Sequence, residues 1–373
     1  MEKIKILHVV SSLSTGSGVM GFIMNYFRNI NSEKIQFDFL YFKEIEGTYK
    51  EEIEFLGGHT FCLVKPGFRL ATCMQYNHFF SRHANEYVAL HNHEVYLTFF
   101  LAPIAKKNGI KHIITHSHAT MFSDNKIKAL RNRILCFPLK RQANHYFTCS
   151  KAAGTFLYGE KRIRAGKVMV INNAINCKRF QYNETVRDDV RNGLGLTGKV
   201  VVGHVGRFTE QKNHVFLIDI FNEIHKKNNN TVLMLVGRGP LEKKIKQKVE
   251  NLGLNGFVFF LGQRSDIPDL LQAMDVFVLP SLYEGLPVIG IEAQSTGLPC
   301  VMSDKVTKEI DITNVDHLKL SASLSNWSEL IIKKAMVHNR NDTTEQIKLA
   351  GLDINEEAKK LEKIYVEMSG DER

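Results

Sequence analysis

The sequence predicts an α/β protein made of two tandem Rossmann-like domains, each a doubly wound parallel sheet. Three observations lead to this fold class. Apolar runs of strand length alternate with helix-period segments, the runs are apolar on both faces, and 373 residues exceed one ordinary hydrophobic core. Strands buried on both faces belong to parallel sheets that helices cover.

Nine apolar runs predict the strands, and helical segments such as GFIMNYFRNI separate them. In the first half they are IKILHVV, FDFLYF, YVALHNH, HIITHSH and HYFTCS, and in the second half KVVVGHVG, TVLMLVG, FVFFLG and DVFVLPS. The polar stretch 175–199 is the expected join. We therefore predict a first domain over 1–180, a second over 181–354 and a C-terminal helical segment over 355–373.

The composition, 44% hydrophobic and 24% charged, is typical of a soluble globular protein. The apolar run near Met1 lacks a cleavage site, and the longest strongly apolar run, 96–105, is far shorter than the roughly 20 residues of a membrane span. The six cysteines are scattered without metal-binding spacing, as in a reducing compartment. We expect a cytoplasmic protein.

Positive charge is concentrated in one part of the chain. Residues 106–175 hold 14 basic and 2 acidic residues, a net charge of +12, and all 16 lie within 106–167, which we call the basic segment. It fits an anionic lipid surface, although a solvated lysine face is an open alternative. Nucleic acid is not expected, because no nucleic-acid-binding signature accompanies the charge.

The stretch SLYEGLPVIGIEAQSTGLP begins where a predicted strand ends, which is where open α/β sheets bind ligands. Pro287 is well placed as the first residue of a helix. Backbone amides at this helix start would bind a phosphate; they belong to Gly285, Leu286 and Val288. Glu284 and Glu292 could each accept hydrogen bonds from two vicinal hydroxyls, which predicts a sugar nucleotide. The alternative is an acid that complements the helix dipole and an exposed helix position.

Two further strand ends carry polar residues. Arg207 and Lys212 follow KVVVGHVG, before a helix that begins near Asn213, and two fixed cations suit a diphosphate. A surface ion pair with Glu210 is the alternative for either cation. Gln263 and Arg264 follow FVFFLG and could read a base edge, with Ser265 or Asp266 as the cap of the next helix.

Two His-x-His pairs end consecutive strands of the first half: His91 with His93, and His116 with His118. Adjacent strand ends place both pairs on the same edge of the sheet. They could bind a metal ion, or they could be structural. Since no aspartate pair accompanies them, we expect no metal.

Three motifs together resemble the retaining glycosyltransferases of family 4, which have the GT-B fold. They are GRFTEQKN at 206–213, LGQRSDIPDLL at 261–271 and EGLPVIGIE at 284–292. The resemblance extends over essentially the whole chain and is closest to the branch that builds bacterial capsule, exopolysaccharide or O-antigen. It implies two domains that face a central cleft, with a C-terminal helix that packs back toward the first domain.

The resemblance also implies roles for the residues. Arg207 and Lys212 would bind the donor diphosphate and stabilise its departure, Glu292 would hold the ribose, and Glu284 the transferred sugar. Gln263 and Arg264 would flank the base. His93, or next His118, would contact the donor sugar.

The glycine loop STGSGVMG would place Gly16 and Gly18 near the phosphates or the acceptor. It departs from the commoner Gly-Gly-x-Glu pattern of the family, since Ser17-Gly18-Val19-Met20 stands there.

The implied reaction moves a hexose-type sugar from a nucleotide-diphosphate sugar, UDP or else GDP, to a saccharide or lipid-linked saccharide. The anomeric configuration is kept, no metal or other cofactor is needed, and the protein could lie peripherally on the inner face of the plasma membrane.

Three other functions are compatible with parts of the sequence. Gly16, Gly18 and Gly21 spell a dinucleotide fingerprint with Asp38 beyond, as in NAD-dependent oxidoreductases; however, five residues separate the strand from Gly16, and Asp38 falls inside a strand. A nucleotide-sugar 2-epimerase would need acid-base carboxylates, of which the first half offers mainly Glu94. A catalytically silent sugar-nucleotide-binding subunit is the third alternative.

Overall fold

The computed structural model describes residues 3–123, 126–337 and 339–370. The chain forms two compact units, Met1–Ala174 together with Ile354–Arg373, and Ile175–Asp353. The boundary predicted at residue 180 falls at the end of the first short helix of the second unit. The C-terminal helix Ile354–Ser369 belongs to the first unit.

The first unit is built on a parallel sheet with the strand order β3-β2-β1-β4-β5-β6-β7. Its strands are β1 Ile4–Val9, β2 Ile35–Tyr41, β3 Thr60–Cys62, β4 Tyr87–Asn92, β5 His112–Ser117, β6 His145–Thr148 and β7 Met169–Val170. The chain reverses direction along the sheet at β1, where ligands bind in doubly wound folds. The central strands are largely buried on both faces, as their mostly apolar sequences predict.

The helices of the first unit cover this sheet. They are α1 Gly18–Asn29, α2 Lys50–Phe55, α3 Leu70–His83, α4 Thr98–Lys107, α5 Lys126–Leu135, α6 Leu139–Gln142, α7 Lys151–Tyr158 and α8 Glu160–Arg164. Ser17 caps α1 by accepting a hydrogen bond from the amide of Met20. The C-terminal helix packs in the same core through buried Leu361 and Tyr365.

The second unit repeats the architecture with the order β10-β9-β8-β11-β12-β13, again all parallel where pairs are formed. Its strands are β8 Val200–Val205, β9 Thr231–Val236, β10 Val258–Phe260, β11 Val276–Leu279, β12 Cys300–Ser303 and β13 Val315–Leu318. The direction reverses between β8 and β11, which are hydrogen-bonded neighbours. Loops after these two strands therefore share one sheet edge.

The helices of the second unit lie between these strands and after them. They are α9 Cys177–Phe180, α10 Glu184–Gly193, α11 His214–Lys227, α12 Glu242–Asn251, α13 Ile267–Ala273, α14 Val288–Ser295, α15 Leu324–Ala335 and α16 Thr344–Leu349. The buried face of α11, which includes Leu217 and Phe221, packs on one side of the sheet. Ile291 of α14 packs on the other side.

The predicted fold class is confirmed. All nine predicted strands are present, and four short ones, β3, β7, β12 and β13, were not predicted. Within the described ranges, no helix combines the length and the apolarity that crossing a membrane requires.

Candidate active site

The loops that follow β8 and β11 bring Lys212 and Glu284 together. Nζ of Lys212 lies 2.6 Å from Oε1 of Glu284, and the two side chains are only 14% and 7% exposed. The alternative ion pair of Lys212 with Glu210 is not formed. A buried pair of this kind is held firmly, because breaking it would leave a charge without compensation.

Two more side chains donate to the same carboxylate. Oγ of Ser281 lies 2.8 Å from Oε1, and Nε2 of Gln211 lies 3.3 Å from Oε2 of Glu284. A carboxylate offers about four acceptor positions. With three donors seated, Oε2 of Glu284 retains capacity for one more hydrogen bond.

The backbone joins the two loops. The amide of Leu282 donates to the carbonyl of Gln211 at 2.8 Å, and Nδ2 of Asn213 donates to the carbonyl of Pro280 at 3.2 Å. Asn213 has a φ of 55°, a left-handed conformation that asparagine tolerates better than most residues. It precedes α11, so the predicted helix start near Asn213 is confirmed.

Glycines allow the neighbouring loops to approach closely. Gly237, at a φ of +132°, would place a Cβ 2.2 Å from the carbonyl oxygen of Gly206, so no larger residue fits. Its amide donates to the carbonyl of Gly262 at 2.7 Å. The loops after β8, β9 and β10 therefore form one layer. Arg207 is exposed on this layer, and within the described residues no side chain pairs with its guanidinium.

The helix α14 begins one residue later than predicted. Pro287 is its N-cap, with a ψ of 114°, so proline supplies the helical φ but the backbone is still extended there. In the described part of the chain, the amides of Gly285 and Val288 donate to no protein acceptor. The side chain of Leu286 is buried in the core and anchors the loop. The start of this helix is suited to binding an anion.

Glu292 lies in the second turn of α14. Part of the residue reaches the surface, yet burial raises the pKa of its carboxyl to about 7, while the charge of Arg179 acts in the opposite direction. No donor among the described residues is within hydrogen-bonding distance of this carboxyl. The carboxyl of Glu292 is therefore available to accept hydrogen bonds from a ligand.

Gln263 and Arg264 are exposed beyond β10. Arg264 makes a two-point ion pair with Asp266, at 2.7 and 2.5 Å. Asp266 stands at the N-cap of α13 but its side chain does not cap the helix, in contrast to the prediction, because Arg264 engages it. A cleft of about 360 Å³ adjoins this loop; it is lined by Arg179, Ser265, Asp266, Pro268 and Asp269.

A larger groove, of about 800 Å³, runs along α12 and β10. Its lining includes Gly239 and Phe260 but none of the predicted site residues. The predicted site residues therefore lie outside this groove.

In the first unit, five histidines form two hydrogen-bonded tiers. In one tier His93 pairs with His8 at 3.0 Å and with His118 at 2.8 Å. In the other, His91 pairs with His116 at 3.0 Å and with the hydroxyl of Tyr365 at 2.7 Å. The tiers stack, with His91 over His93 at a centroid distance of 4.4 Å and His116 over His118 at 4.1 Å.

All five histidines are held in the neutral form. Burial, reinforced for four of them by neighbouring histidines, lowers the pKa of His8, His91, His93 and His116 well below the usual range. Burial alone lowers the pKa of His118 to about 3. The tiers are therefore neutral donors and acceptors at physiological pH.

The tiers also bear on the metal alternative. His8, His91 and His93 form one group with ligand atoms within 4.8 Å of one another, and His93, His116 and His118 form another. However, ring planes in the cluster lie within 13° to 29° of each other. Lone pairs of stacked rings lie in parallel planes and do not converge on one point. The ring–ring hydrogen bonds account for this geometry directly.

Two comparisons with known proteins decide the classification. The chain is 33% identical over 337 residues to the Bacillus subtilis (strain 168) protein named "Putative glycosyltransferase EpsF". The alignment covers 89% of this chain and 88% of the relative. The sequence pattern described as glycosyl transferases group 1 matches residues 186–315, which lie within the second unit. This chain belongs to the group 1 glycosyltransferases.

This glycosyltransferase is also similar to a second sequence relative and to a solved structure. Over 142 residues, 37% of each chain, it is 38% identical to the Escherichia coli UDP-Gal:alpha-D-GlcNAc-diphosphoundecaprenol alpha-1,3-galactosyltransferase. Its fold matches that of Anabaena Alr3699/HepE, solved in complex with UDP and glucose, with a TM-score of 0.79 over 97% of this chain and 99% of that one. Because the Anabaena protein is only 19% identical to this chain, this similarity shows the fold alone. The GT-B architecture is confirmed.

The predicted residues of the glycosyltransferase fall into two sets. The second unit brings Lys212 and Glu284 into contact and places Arg207, the amides of Gly285 and Val288, and Glu292 in loops and a helix start beyond β8 and β11. The first unit holds His93 and His118. Both ring nitrogens of His93 are engaged by other histidines, so the partly exposed His118 is the better placed to meet a ligand.

The glycine loop lies before α1 in the first unit. The amide of Gly16 donates to Oγ of Ser14 at 3.2 Å, and Gly18 is the first residue of the helix, with open space where a Cβ would be. The roles predicted for Gly16 and Gly18 stay predictions.

The oxidoreductase alternative conflicts with the surroundings of Asp38. This residue lies inside β2 and is 1% exposed. Its carboxylate accepts hydrogen bonds from Gln36, from the amide of His59 and from the hydroxyl of Tyr87. A carboxylate buried and engaged in this way is not available to bind a ribose.

Sequence reasoning missed several members of these sites. Gln211 stands inside the motif GRFTEQKN, beside Lys212, and could have been found there; Ser281 stands in the stretch that carries Glu284. Arg179, close enough to Glu292 to affect its pKa, has no local signal. His8 is the last residue but one of β1, just as His91 and His116 are of β4 and β5, and this pattern was the available signal.

Proposed function

We propose that this glycosyltransferase transfers a hexose-type sugar from a nucleotide-diphosphate sugar, with UDP as the default nucleotide and GDP as the alternative. The observation that carries the proposal is the contact between Lys212 and Glu284, at the sheet edge where the start of α14 offers the amides of Gly285 and Val288. A cation, unengaged amides and an ordered carboxylate match a diphosphate joined to a sugar.

In this proposal, different residues bind different parts of the donor. Lys212 and Arg207 neutralise the diphosphate and stabilise the charge that grows on it as it leaves. The remaining acceptor position of Glu284 takes a sugar hydroxyl, and Glu292 holds the ribose. Gln263 and Arg264 lie beside the base, next to the cleft that Arg179 lines.

We propose that the anomeric configuration is retained without a covalent intermediate on the enzyme. Glu284 accepts hydrogen bonds from Lys212, Ser281 and Gln211, which makes it a poor nucleophile. The acceptor hydroxyl would attack from the face that the diphosphate leaves, and the leaving phosphate would take its proton. Positioning and electrostatic stabilisation supply the catalysis.

Metal ions are not required in this proposal. Two cationic side chains and the helix start supply the positive charge that a divalent ion would otherwise bring to the diphosphate. The histidine tiers are hydrogen-bonded to one another and are not assigned to a metal.

The acceptor is proposed to be a saccharide or lipid-linked saccharide of bacterial surface polysaccharide synthesis. The E. coli relative's name specifies a UDP sugar and a diphosphoundecaprenol-linked acceptor, which supports this class of reaction. The UDP and glucose bound by the Anabaena protein support the choice of nucleotide.

We further propose that the enzyme acts in the cytoplasm, with the basic segment 106–167 on an anionic membrane surface. No disulfide joins any of the six cysteines, all of which lie in the described ranges, as suits a reducing compartment.

A turnover assay tests the proposal. Purified enzyme is incubated with UDP-glucose, UDP-galactose, UDP-N-acetylglucosamine and GDP-mannose, with polyprenyl-diphosphate-linked sugars as acceptors, and the released nucleoside diphosphate is measured. We expect one donor to turn over, with EDTA having no effect and the product keeping the donor's anomeric configuration by proton NMR. Turnover by a Lys212→Met variant equal to that of wild type, or an inverted product, would contradict the proposal.

A further inference from the structure

The helix α5, Lys126–Leu135, exposes large apolar side chains. Ile127 is 81% exposed, Leu130 60%, Ile134 63% and Phe137, just beyond the helix, 88%. The amide of Phe137 donates to the carbonyl of Ile134 at 3.1 Å, so the helical turn continues to this residue. We call these four side chains the apolar stripe.

The apolar stripe lies on the outer side of the helix. At about 100° per residue, the four positions fall within an arc of about 80°. Asn132, which is 6% exposed, lies on the opposite side. An ordinary surface helix turns its apolar face to the core and its polar face to water. In α5 this arrangement is reversed.

Contacts on the inner side fix this orientation. Nδ2 of Asn132 donates to the carbonyl of Phe122 at 2.9 Å, and its Oδ1 accepts from the guanidinium of Arg131 at 2.8 Å. The same guanidinium lies 5.6 Å from the ring centre of Tyr96. Just after the helix, Cys136 packs against the small core beneath. Turning the stripe inward would break these contacts.

Basic residues border the apolar stripe, and acids are missing from the helix sequence. Lys126 and Arg133 lie on one side of the stripe, and Arg131 and Lys128 lie on the other. All four residues are exposed, although the guanidinium of Arg131 is engaged by Asn132. No Asp or Glu occurs in KIKALRNRIL. The surrounding basic segment adds to the same positive potential, with its net charge of +12.

The apolar stripe and its basic borders together indicate which partner binds α5. A second copy of the chain docked through this stripe would bring two basic borders together, which like-charge repulsion disfavours. An anionic bilayer presents negative phosphates above an apolar interior, and so it matches both the stripe and its borders.

We infer that α5 inserts its apolar stripe into the interface of an anionic lipid bilayer, with the flanking lysines and arginines on the lipid phosphates. The inference extends the membrane contact proposed above from attraction at the surface to insertion by a defined helix. It does not depend on the donor site, so vesicle binding and nucleotide binding can fail separately.

A tryptophan probe tests insertion directly. The single tryptophan, Trp327, is fully buried in the second unit and provides a constant background. In Phe137→Trp we expect a blue-shifted emission with phosphatidylglycerol vesicles and quenching by brominated acyl chains. Phe55→Trp is the matched control, because Phe55 is 89% exposed in the same unit but outside the stripe. No shift in Phe137→Trp, or an equal shift in both variants, would overturn the inference.

Vesicle flotation of the full-length protein gives an independent readout. Phe137→Ser should weaken binding to phosphatidylglycerol vesicles by about tenfold, since a large apolar side chain no longer enters the bilayer. Phe55→Ser should bind like wild type, and high salt should weaken binding without abolishing it. Equal binding by the two serine variants, equal binding to phosphatidylcholine vesicles, or a dimer that Phe137→Ser dissolves would each contradict insertion into an anionic bilayer.

Discussion

The ammonium of Lys212 lies 2.6 Å from Oε1 of Glu284, although the two residues are 72 positions apart in the sequence. The contact joins two adjacent parallel strands, β8 and β11, at their carboxyl ends. It also links the residue proposed to bind the diphosphate with the residue proposed to bind the sugar. The two halves of the donor would therefore meet at one ion pair.

Replacing Lys212 by methionine should reduce kcat/KM by about 10² to 10³, because a fixed cation no longer stabilises the leaving diphosphate. Steady-state kinetics with the preferred donor measures this. Lys226→Met is the control, since Lys226 forms an exposed pair with Glu223. Thermal unfolding of both variants separates lost catalysis from lost folding, because the change also leaves Glu284 buried without its cation. A fully folded Lys212→Met enzyme with unchanged kcat/KM would rule out this role.

The affinity for a UDP-sugar should fall as the pH is lowered through about 7. Burial raises the pKa of Glu292 to about 7, so the carboxylate, which is proposed to accept hydrogen bonds from both ribose hydroxyls, is lost below this value. Glu292→Gln should flatten the profile, because glutamine does not titrate. Calorimetry across this pH range provides the comparison, and a wild-type profile identical to that of the variant would show that Glu292 does not hold the nucleotide.

The protein should lose stability steeply as the pH falls below 6.5. The unfolded chain protonates its histidines there, whereas burial lowers the folded-state pKa of all five histidines in the tiers. Their full contribution is therefore present above 6.5, and each costs up to about 1.4 kcal/mol per pH unit below it.

Denaturant unfolding at a series of pH values checks this expectation. His8→Asn should make the decline shallower, whereas His78→Asn, at an exposed position, should leave it unchanged. A decline of the same slope in wild type and His8→Asn would mean that His8 does not contribute to acid lability.

Gly237→Ala should destabilise the second unit and lower activity together. The new methyl group would lie 2.2 Å from the carbonyl oxygen of Gly206, at a φ of +132° that alanine rarely adopts, and would displace the loop that carries Arg207. Gly193→Ala is the control, because nothing lies within 4 Å of its Cβ position and its φ is not positive. Equal melting temperatures for the two variants would disprove the proposed close contact.

The sequence was sufficient for the fold because long apolar runs, such as those of β8 and β9, fit only strands buried on both faces. The strands it did not predict are short or lie toward the sheet margins, where periodicity is weak: β7 has two residues and β3 has three. Their positions depend on pairing with neighbours that are distant in sequence, for example β3 with β2.

Local motifs found the individual residues of the site but not their pairings. GRFTEQKN and EGLPVIGIE contain Lys212 and Glu284, yet only the strand order brings them together. The same holds for His8, which joins His93 across 85 positions, and for Tyr365, which joins His91 across 274. The sequence assigned Arg264 to the base. It did not predict the two-point ion pair of Arg264 with Asp266, because that pair depends on side-chain geometry that no motif encodes.

Calorimetric titration of UDP, GDP and NADH into the wild type and Glu292→Ala tests the central claim most directly. We predict that UDP or GDP binds with a dissociation constant of roughly 1 µM to 1 mM, in the usual range for enzyme substrates, and that Glu292→Ala binds it more weakly. NADH should not bind. Binding of NADH alone, or nucleotide binding that is unchanged in Glu292→Ala, would contradict a donor site at the start of α14.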